Sequence, residues 1–272
     1  MQGGASREAL AAGADRLDAL TSAPGADVTG IADDLAAVAS AFGKNTALRR
    51  MLTDPARPAA QRADIATALL AGKIGADAAA LVAGLARSRW SAPRDLADAV
   101  AELSIRADLA VAERDGRLDE VEDELFRFGR VLDSNGDLAL ALGDTRADAG
   151  QRVALVHSLL DGKVDPTTYR LVSRLVANPR GRSISAALAE VGRAAAERRQ
   201  RLIAYVKAAV PLTEQQRDRL TAVLRRLYGQ EVHLNLDLDP AVLGGLSVRV
   251  GDEVIDGTVA SRLARAQRQL TG

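Results

Sequence analysis

The sequence has no cysteine in its 272 residues. Disulfide frameworks, thiol catalysis and Cys-ligated zinc or iron–sulfur sites are therefore excluded. It has two histidines, His157 and His233, which excludes multi-His metal sites. Aromatics make up 3%, too few for a base-stacking surface. Neither sign of charge is in excess: Lys+Arg and Asp+Glu are both 36. That balance argues against a broad basic face for duplex nucleic acid. No uninterrupted apolar run approaches the ~20 residues needed to span a bilayer. Residues 1–8 carry no apolar signal core, so a cytosolic or membrane-peripheral chain is expected. Lysine is scarce (Lys44, Lys73, Lys163, Lys207), and the other basic residues are arginine. With so much alanine, this reads as coding bias from a GC-rich genome, not as phosphate recognition.

What is present is a chain with 47% hydrophobic and 26% charged residues, a normal soluble composition. Its length suits one large or two to three small domains at ~100–200 residues each. It is internally duplicated. Offset by 90 positions, Gln61-Arg62 meets Gln151-Arg152, and Leu69-Leu70-Ala71-Gly72-Lys73-Ile74 meets Leu159-Leu160-Asp161-Gly162-Lys163-Val164. Leu81, Val82 and Leu85 meet Leu171, Val172 and Leu175; from 48 to 88, 13 of 41 positions are identical. Upstream, Val28, Ile31, Leu35, Val38 and Phe42 share their spacing with Leu118, Val121, Leu125, Phe128 and Leu132. That period lays one apolar stripe along an α-helix. Shared Gly-Lys and Gln-Arg pairs are not explained by helical periodicity, so the match is a repeat.

Breaks at 21–25, 53–55, 91–93, 133–137 and 178–181 carry Pro, Gly, Asn, Asp and Ser, as connections between helices require. No breaker interrupts 94–113, which reads as one long helix. The expected fold is mainly α: two related helical bundles sharing a long helix, followed by a small C-terminal α+β unit. The boundaries are 1–115 for the first bundle, 95–205 for the second with helix 95–113 shared, and 206–272 for the last unit.

The composition changes near residue 205. Residues 202–210 suit the end of a helix running on as a strand. Thr213 and Gln216 have capping-box spacing. The helix after them places Leu220, Val223, Leu224, Leu227 and Tyr228 on one face, and Gly229 ends it. Val232, Leu234, Leu236 and Leu238 then alternate with His233, Asn235 and Asp237, as in a half-buried strand. Strands over 246–250 and 253–255 reverse at Gly251-Asp252. Asp256 is placed to cap a last helix with Val259, Leu263, Ala266 and Leu270 on its apolar side.

Several fragments mimic enzymatic or metal sites and fail. Asp133, Asn135, Asp137 and Asp144 suggest a calcium loop, but its sixth position is Leu138 instead of Gly; an Asn-Gly turn accounts for them better. Gly43-Lys44 is followed by Asn45, and Val38 stands where a P-loop needs its first Gly. Glu122-Asp123-Glu124 reads as a solvated helix face. His157 reads as a packed or surface residue and His233 as an exposed one. No constellation meets the role test for an active site. No cofactor, metal or catalytic residue is expected.

The segment from Asp239-Pro240 through Leu243-Gly244-Gly245, the strand to Val250, Gly251-Asp252 and Val254-Ile255-Asp256-Gly257-Thr258 resembles the C-terminal signature of the delta subunit of bacterial rotary ATP synthase. Its mitochondrial counterpart is the oligomycin-sensitivity-conferring subunit. Asn178 to Gly181 and Ala209 to Thr213 extend the resemblance over about 107–272. The extra bundle in front resembles the duplicated form of actinobacterial relatives. The resemblance implies a non-catalytic stator subunit of the proton-translocating ATP synthase, peripheral on the cytoplasmic face of the membrane. It implies that the helical bundle binds the N-terminal helix of an alpha subunit. The C-terminal unit would bind the C-terminal end of the b stalk, with the beta subunit as a further neighbour. Membrane association would come only through the complex, and no nucleic acid is involved. On this reading Asp239, Pro240, Gly244, Gly245, Gly251, Asp256 and Gly257 shape the backbone, while Val259, Leu263 and Leu270 help the b contact. The extra bundle would meet a second alpha N-terminus or the b stalk. An unrelated α-helical scaffold is the alternative reading, and it gives no reason for the tail signature.

Overall fold

The computed structural model describes residues 3–179, 181–199, 202–229, 232–239, 245–250 and 253–256. The chain forms two compact units, Met1–Arg199 and Gln200–Gly272.

The first unit is helical. Its elements are α1 (Gly4–Thr21), α2 (Val28–Lys44), α3 (Thr46–Thr53), α4 (Ala59–Leu70), α5 (Ala76–Arg87) and α6 (Pro93–Arg114). They continue as α7 (Leu118–Ser134), α8 (Gly136–Gly143), α9 (Ala149–Leu160), α10 (Pro166–Ala177) and α11 (Ile184–Arg199). Helices α7 to α10 reproduce the boundaries of α2 to α5 at both ends, 90 residues on. Helix α1 corresponds in the same offset to part of α6, and α6 to α11. Helix α6 is thus the last helix of one copy and the first of the next. Pro93 starts it at the first turn, where a missing N–H costs nothing. Its 22 residues span ~33 Å. It ends in a Schellman arrangement: Gly116 has φ +68°, and the Arg117 N–H donates to the Ala112 carbonyl at 2.8 Å.

Sharing α6 divides the apolar residues into two cores. Leu96, Val100 and Leu103 of α6 pack with Leu17, Ile31, Leu35, Val38, Phe42 and Leu81. Ile105, Leu109 and Ala112 pack with Val121, Leu125, Phe128, Leu132 and Leu171. The predicted stripes on α2 and α7 are the buried faces of those helices.

The second unit contains β1 (Leu202–Ala208), α12 (Glu214–Tyr228), β2 (Val232–Leu238), β3 (Leu246–Val250) and β4 (Glu253–Asp256). The sheet order is β2-β1-β3-β4. Strands β1 and β2 are parallel, which demands a crossover, and α12 supplies it. Strand β1 is antiparallel to β3, and β3 to β4. The predicted capping box is present: the Gln216 N–H donates to Thr213 Oγ1 at 3.3 Å, and the Thr213 N–H donates to Gln216 Oε1 at 2.8 Å. Gly229, at φ +68°, closes the helix.

Two expectations are corrected here. The compact units divide between Arg199 and Gln200, and β1, a central strand of the sheet, lies wholly in the second. Accordingly 202–208 is strand throughout and completes no helix. On α12, Leu220, Leu224 and Tyr228 pack on the sheet core, whereas Val223 and Leu227 stay 51% and 60% exposed. Leu224 is buried, Leu220 and Tyr228 beside it in the i, i+4 row are half-buried, and the neighbouring row is not covered, so the apolar face is wider than the contact.

Candidate functional site

Among the described residues no group of three or more His, Cys, Asp or Glu side chains is placed to hold a metal ion. No described helix is long and apolar enough to cross a membrane. The described residues offer exposed apolar surfaces and a frame of polar joints that holds them.

That frame rests on repeated polar joints. The buried Arg62 donates to the carbonyls of Asp54 at 3.2 Å and Arg87 at 2.8 Å. Arg152, equally buried, donates to those of Asp144 at 2.7 Å and Ala177 at 3.4 Å. Each guanidinium ties the end of the short third helix of its copy to the end of the fifth. Asn45 and Asn135 cap the short helices by accepting from the N–H groups of Leu48 at 3.0 Å and Leu138 at 3.3 Å. The last contact explains the calcium-like spacing as a helix cap. Gly72 and Gly162 make the same turn at φ +68° and +66°.

Glu124 departs from the sequence reading. Its side chain is 8% exposed. It accepts from the Asp165 N–H at 2.9 Å and the Thr168 hydroxyl at 2.6 Å. Only part of the acidic run is solvated. The signal lay in the repeat: Asp34, its counterpart, accepts from the Gly75 N–H at 2.8 Å.

Asp108 on α6 is wholly buried. Its Oδ1 is 3.1 Å from Arg170 Nε and its Oδ2 2.7 Å from Arg174 Nε. Burial pushes its carboxyl above the ordinary value, and the Arg174 and Arg170 guanidinium groups oppose that rise.

Exposed apolar side chains are unevenly distributed. On the helical unit, the large ones among the described residues are Phe126 (66%), Val131 (47%) and Leu140 (73%), all on α7 and α8. Their counterparts in the first copy are Ala36, Ala41 and Arg50. In the second unit Val254 and Ile255 of β4 and Val210 are also exposed.

The described signature residues Asp239, Gly245 and Asp256 stand at strand ends. The Asp239 N–H donates to the Ala208 carbonyl at 3.0 Å, and its carboxylate lies 3.8 Å from Lys207 Nζ. Gly245 has φ +84° just before β3, a left-handed conformation that favours glycine. Asp256 ends β4, paired with Ser247. Pro240, Gly244, Gly251, Gly257, Val259, Leu263 and Leu270 lie outside the described residues, as does the helix that Asp256 is expected to cap. His157 is exposed, with its ring edge-on to Tyr169. His233 lies in β2, in register with Ile203.

The family model described as ATP synthase delta (OSCP) subunit matches residues 106–270. The chain belongs to that family. The match begins inside α6 and covers the second bundle and the sheet unit. Two relatives extend the likeness over the first bundle as well. "ATP synthase subunit delta" of Streptomyces griseus subsp. griseus is 53% identical over 268 residues, 98% of this chain and 99% of its own. The protein of the same name from Streptomyces avermitilis is 55% identical over 267 residues, 98% of each chain. Among solved structures, a chain of the Toxoplasma gondii mitochondrial ATP synthase hexamer is 25% identical, with 62% of this chain and 95% of that chain covered and a TM-score of 0.29.

Proposed function

We propose that this delta-family chain joins the N-terminal helix of an alpha subunit, through its second bundle, to the C-terminal end of the b stalk, through its sheet unit. The chain is a non-catalytic peripheral-stalk subunit of ATP synthase. The observation that carries the reading is the family match over the second bundle and the sheet unit. The head must be held against rotor torque, and a stator needs long-lived contacts at two separate surfaces. An amphipathic helix docks by burying its apolar face against another apolar surface. Phe126, Val131 and Leu140 leave large apolar side chains in water on the second bundle, where the first has Ala36, Ala41 and Arg50; Phe126 and Val131, five residues apart, stand about 140° apart around α7 and so mark two of its faces. We assign the alpha contact to the outer surfaces of α7 and α8 that carry them. Val259, Leu263 and Leu270 are assigned to the b contact, with the exposed Val254 and Ile255 beside them in sequence. The beta subunit is a further neighbour in the head. The chain reaches the membrane's cytoplasmic face only through the complex.

The test is affinity purification of the tagged chain from gently solubilised membranes, followed by mass spectrometry. Stoichiometric alpha, beta and b subunits are expected. Recovery of unrelated proteins without any ATP synthase subunit would overturn the reading.

A further inference from the structure

We propose that two arginine latches, Arg174 and Arg198, lock the two bundles against each other on opposite sides of α6, so that the helical unit moves as one rigid lever. Helix α6 is the one element that contributes to both apolar cores. A single shared helix is a natural axis for twisting and bending. Arg174, on α10 of the second bundle, spans the junction on one side. Its Nε lies 2.7 Å from Asp108 Oδ2 on α6 and its Nη2 2.7 Å from Asp33 Oδ1 on α2 of the first bundle. Arg198, on α11 of the second bundle, spans the other side. Its Nε lies 2.5 Å from Glu113 Oε2 on α6 and its Nη1 3.2 Å from Asp18 Oδ1 on α1 of the first bundle.

Three further facts support the assignment. Asp108 and Glu113 are five residues apart, which separates them by about 140° around a helix of 3.6 residues per turn. One contact would leave rotation about α6 free, whereas two contacts so separated oppose it in both senses. Arg198 and Asp18 are 11% and 13% exposed, so solvent screens that pair less than a surface pair; Asp33 is 60% exposed, so its contact with Arg174 is the more screened of the two latches. The repeat also separates this role from bundle stability. Ninety positions earlier than Arg170 and Arg174 stand Ala80 and Gly84, and earlier than Arg198 stands Asp108. The first bundle folds with no arginine at any of these places. The arginines belong to the copy whose first helix has another bundle beside it. Buried ion pairs contribute little net stability for their desolvation, and fixing one geometry among several is their best-attested use.

The absence of cysteine makes the test direct. Spin labels are attached to the full chain at Ala71→Cys and Asp161→Cys, exposed equivalent positions in the two bundles. Control pairs stay within one bundle: Ala41→Cys with Ala71→Cys, and Ala141→Cys with Asp161→Cys. Pulsed dipolar spectroscopy reads the distance distributions. In Arg174→Met/Arg198→Met the inter-bundle distribution is expected to broaden about twofold as new orientations become populated, while both control distributions stay narrow. The gentler pair Asp33→Asn/Asp18→Asn leaves both arginines and Asp108 in place and is expected to broaden it in the same sense. An unchanged inter-bundle width in both double variants overturns the proposal. Broadening of the controls in both also overturns it, because the arginines would then hold each bundle together instead of holding one against the other.

Discussion

The two bundles share helix boundaries, cap positions and an arginine at the same joint, yet they differ in nearly everything that faces outward. Arg62 and Arg152 donate to backbone carbonyls at equivalent places. The joint made by Asp34 and Gly75 recurs with Glu124 and Asp165. The second copy then builds on it: the Thr168 hydroxyl donates to Glu124, Asp165 accepts from the Thr167 N–H, and Arg117 pairs with Asp165 at 2.8 Å. Its surface carries Phe126, Val131 and Leu140 where the first copy has Ala36, Ala41 and Arg50. Duplication thus kept the groups that tie backbone carbonyls and N–H groups at the joints, whereas side chains answering only to solvent were free to diverge.

The severest break in the comparison comes from the shared joint. Arg62→Ala and Arg152→Ala each remove the guanidinium donor from part-buried carbonyls and open a cavity. Each is expected to cost about 2–4 kcal/mol in urea denaturation. Equal losses would show that the two joints do the same work, and a strongly unequal pair would break the equivalence. Next come the joints that drifted. Glu124→Ala removes the acceptor of two bonds in a buried site and is expected to cost about 2–3 kcal/mol. Asp34→Ala, half-buried with one such bond, is expected to cost about 1 kcal/mol or less. Equal costs would mean that the elaboration around Glu124 adds nothing.

The surface difference is sharpened by binding. Phe126→Asp or Leu140→Asp is expected to weaken an alpha N-terminal peptide by about tenfold in fluorescence anisotropy, with the melting temperature nearly unchanged. Ala36→Asp in the first copy is expected to leave affinity within about twofold. Loss of binding from Ala36→Asp alone would move the docking face to the first bundle. Point substitutions suit this test better than deletion of 1–90, which would bare Leu96, Val100 and Leu103 of α6.

Much of this frame was legible because it follows from periodicity and repetition. The stripe from Val28 to Phe42, its echo from Leu118 to Leu132, the unbroken 94–113 segment and the Thr213–Gln216 box each depend on local spacing. What escaped depends on partners distant in sequence. Glu124 looks solvated beside Glu122 and Asp123 until Asp165 and Thr168 arrive from 41 and 44 residues away. Residues 202–208 are strand only through their pairing with 232–238 and 246–250, partners that local composition does not reveal. Val223 and Leu227 share the helical period of Leu220 and Leu224, and periodicity does not say how wide the covered stripe is. Asp18 and Asp108 occupy equivalent positions, and both meet arginine in the fold.

Asp108 provides the smallest effect and the finest distinction between the copies. Burial raises its carboxyl above the ordinary value of 3.8, against the pull of Arg174 and Arg170. A carboxyl raised in the native state binds its proton more tightly there than in the unfolded chain. Its favourable contribution is therefore full below about 3.8 and is lost as pH rises through the raised native value. Asp108→Asn removes this dependence. The stability of the parent chain relative to Asp108→Asn is then expected to fall as pH is raised from below 3.8 and to level off once Asp108 is ionised. Chemical denaturation at a series of pH values reads the difference. A difference that instead grows with pH would mean that the two arginines outweigh burial and that Asp108 stabilises the fold as an ion.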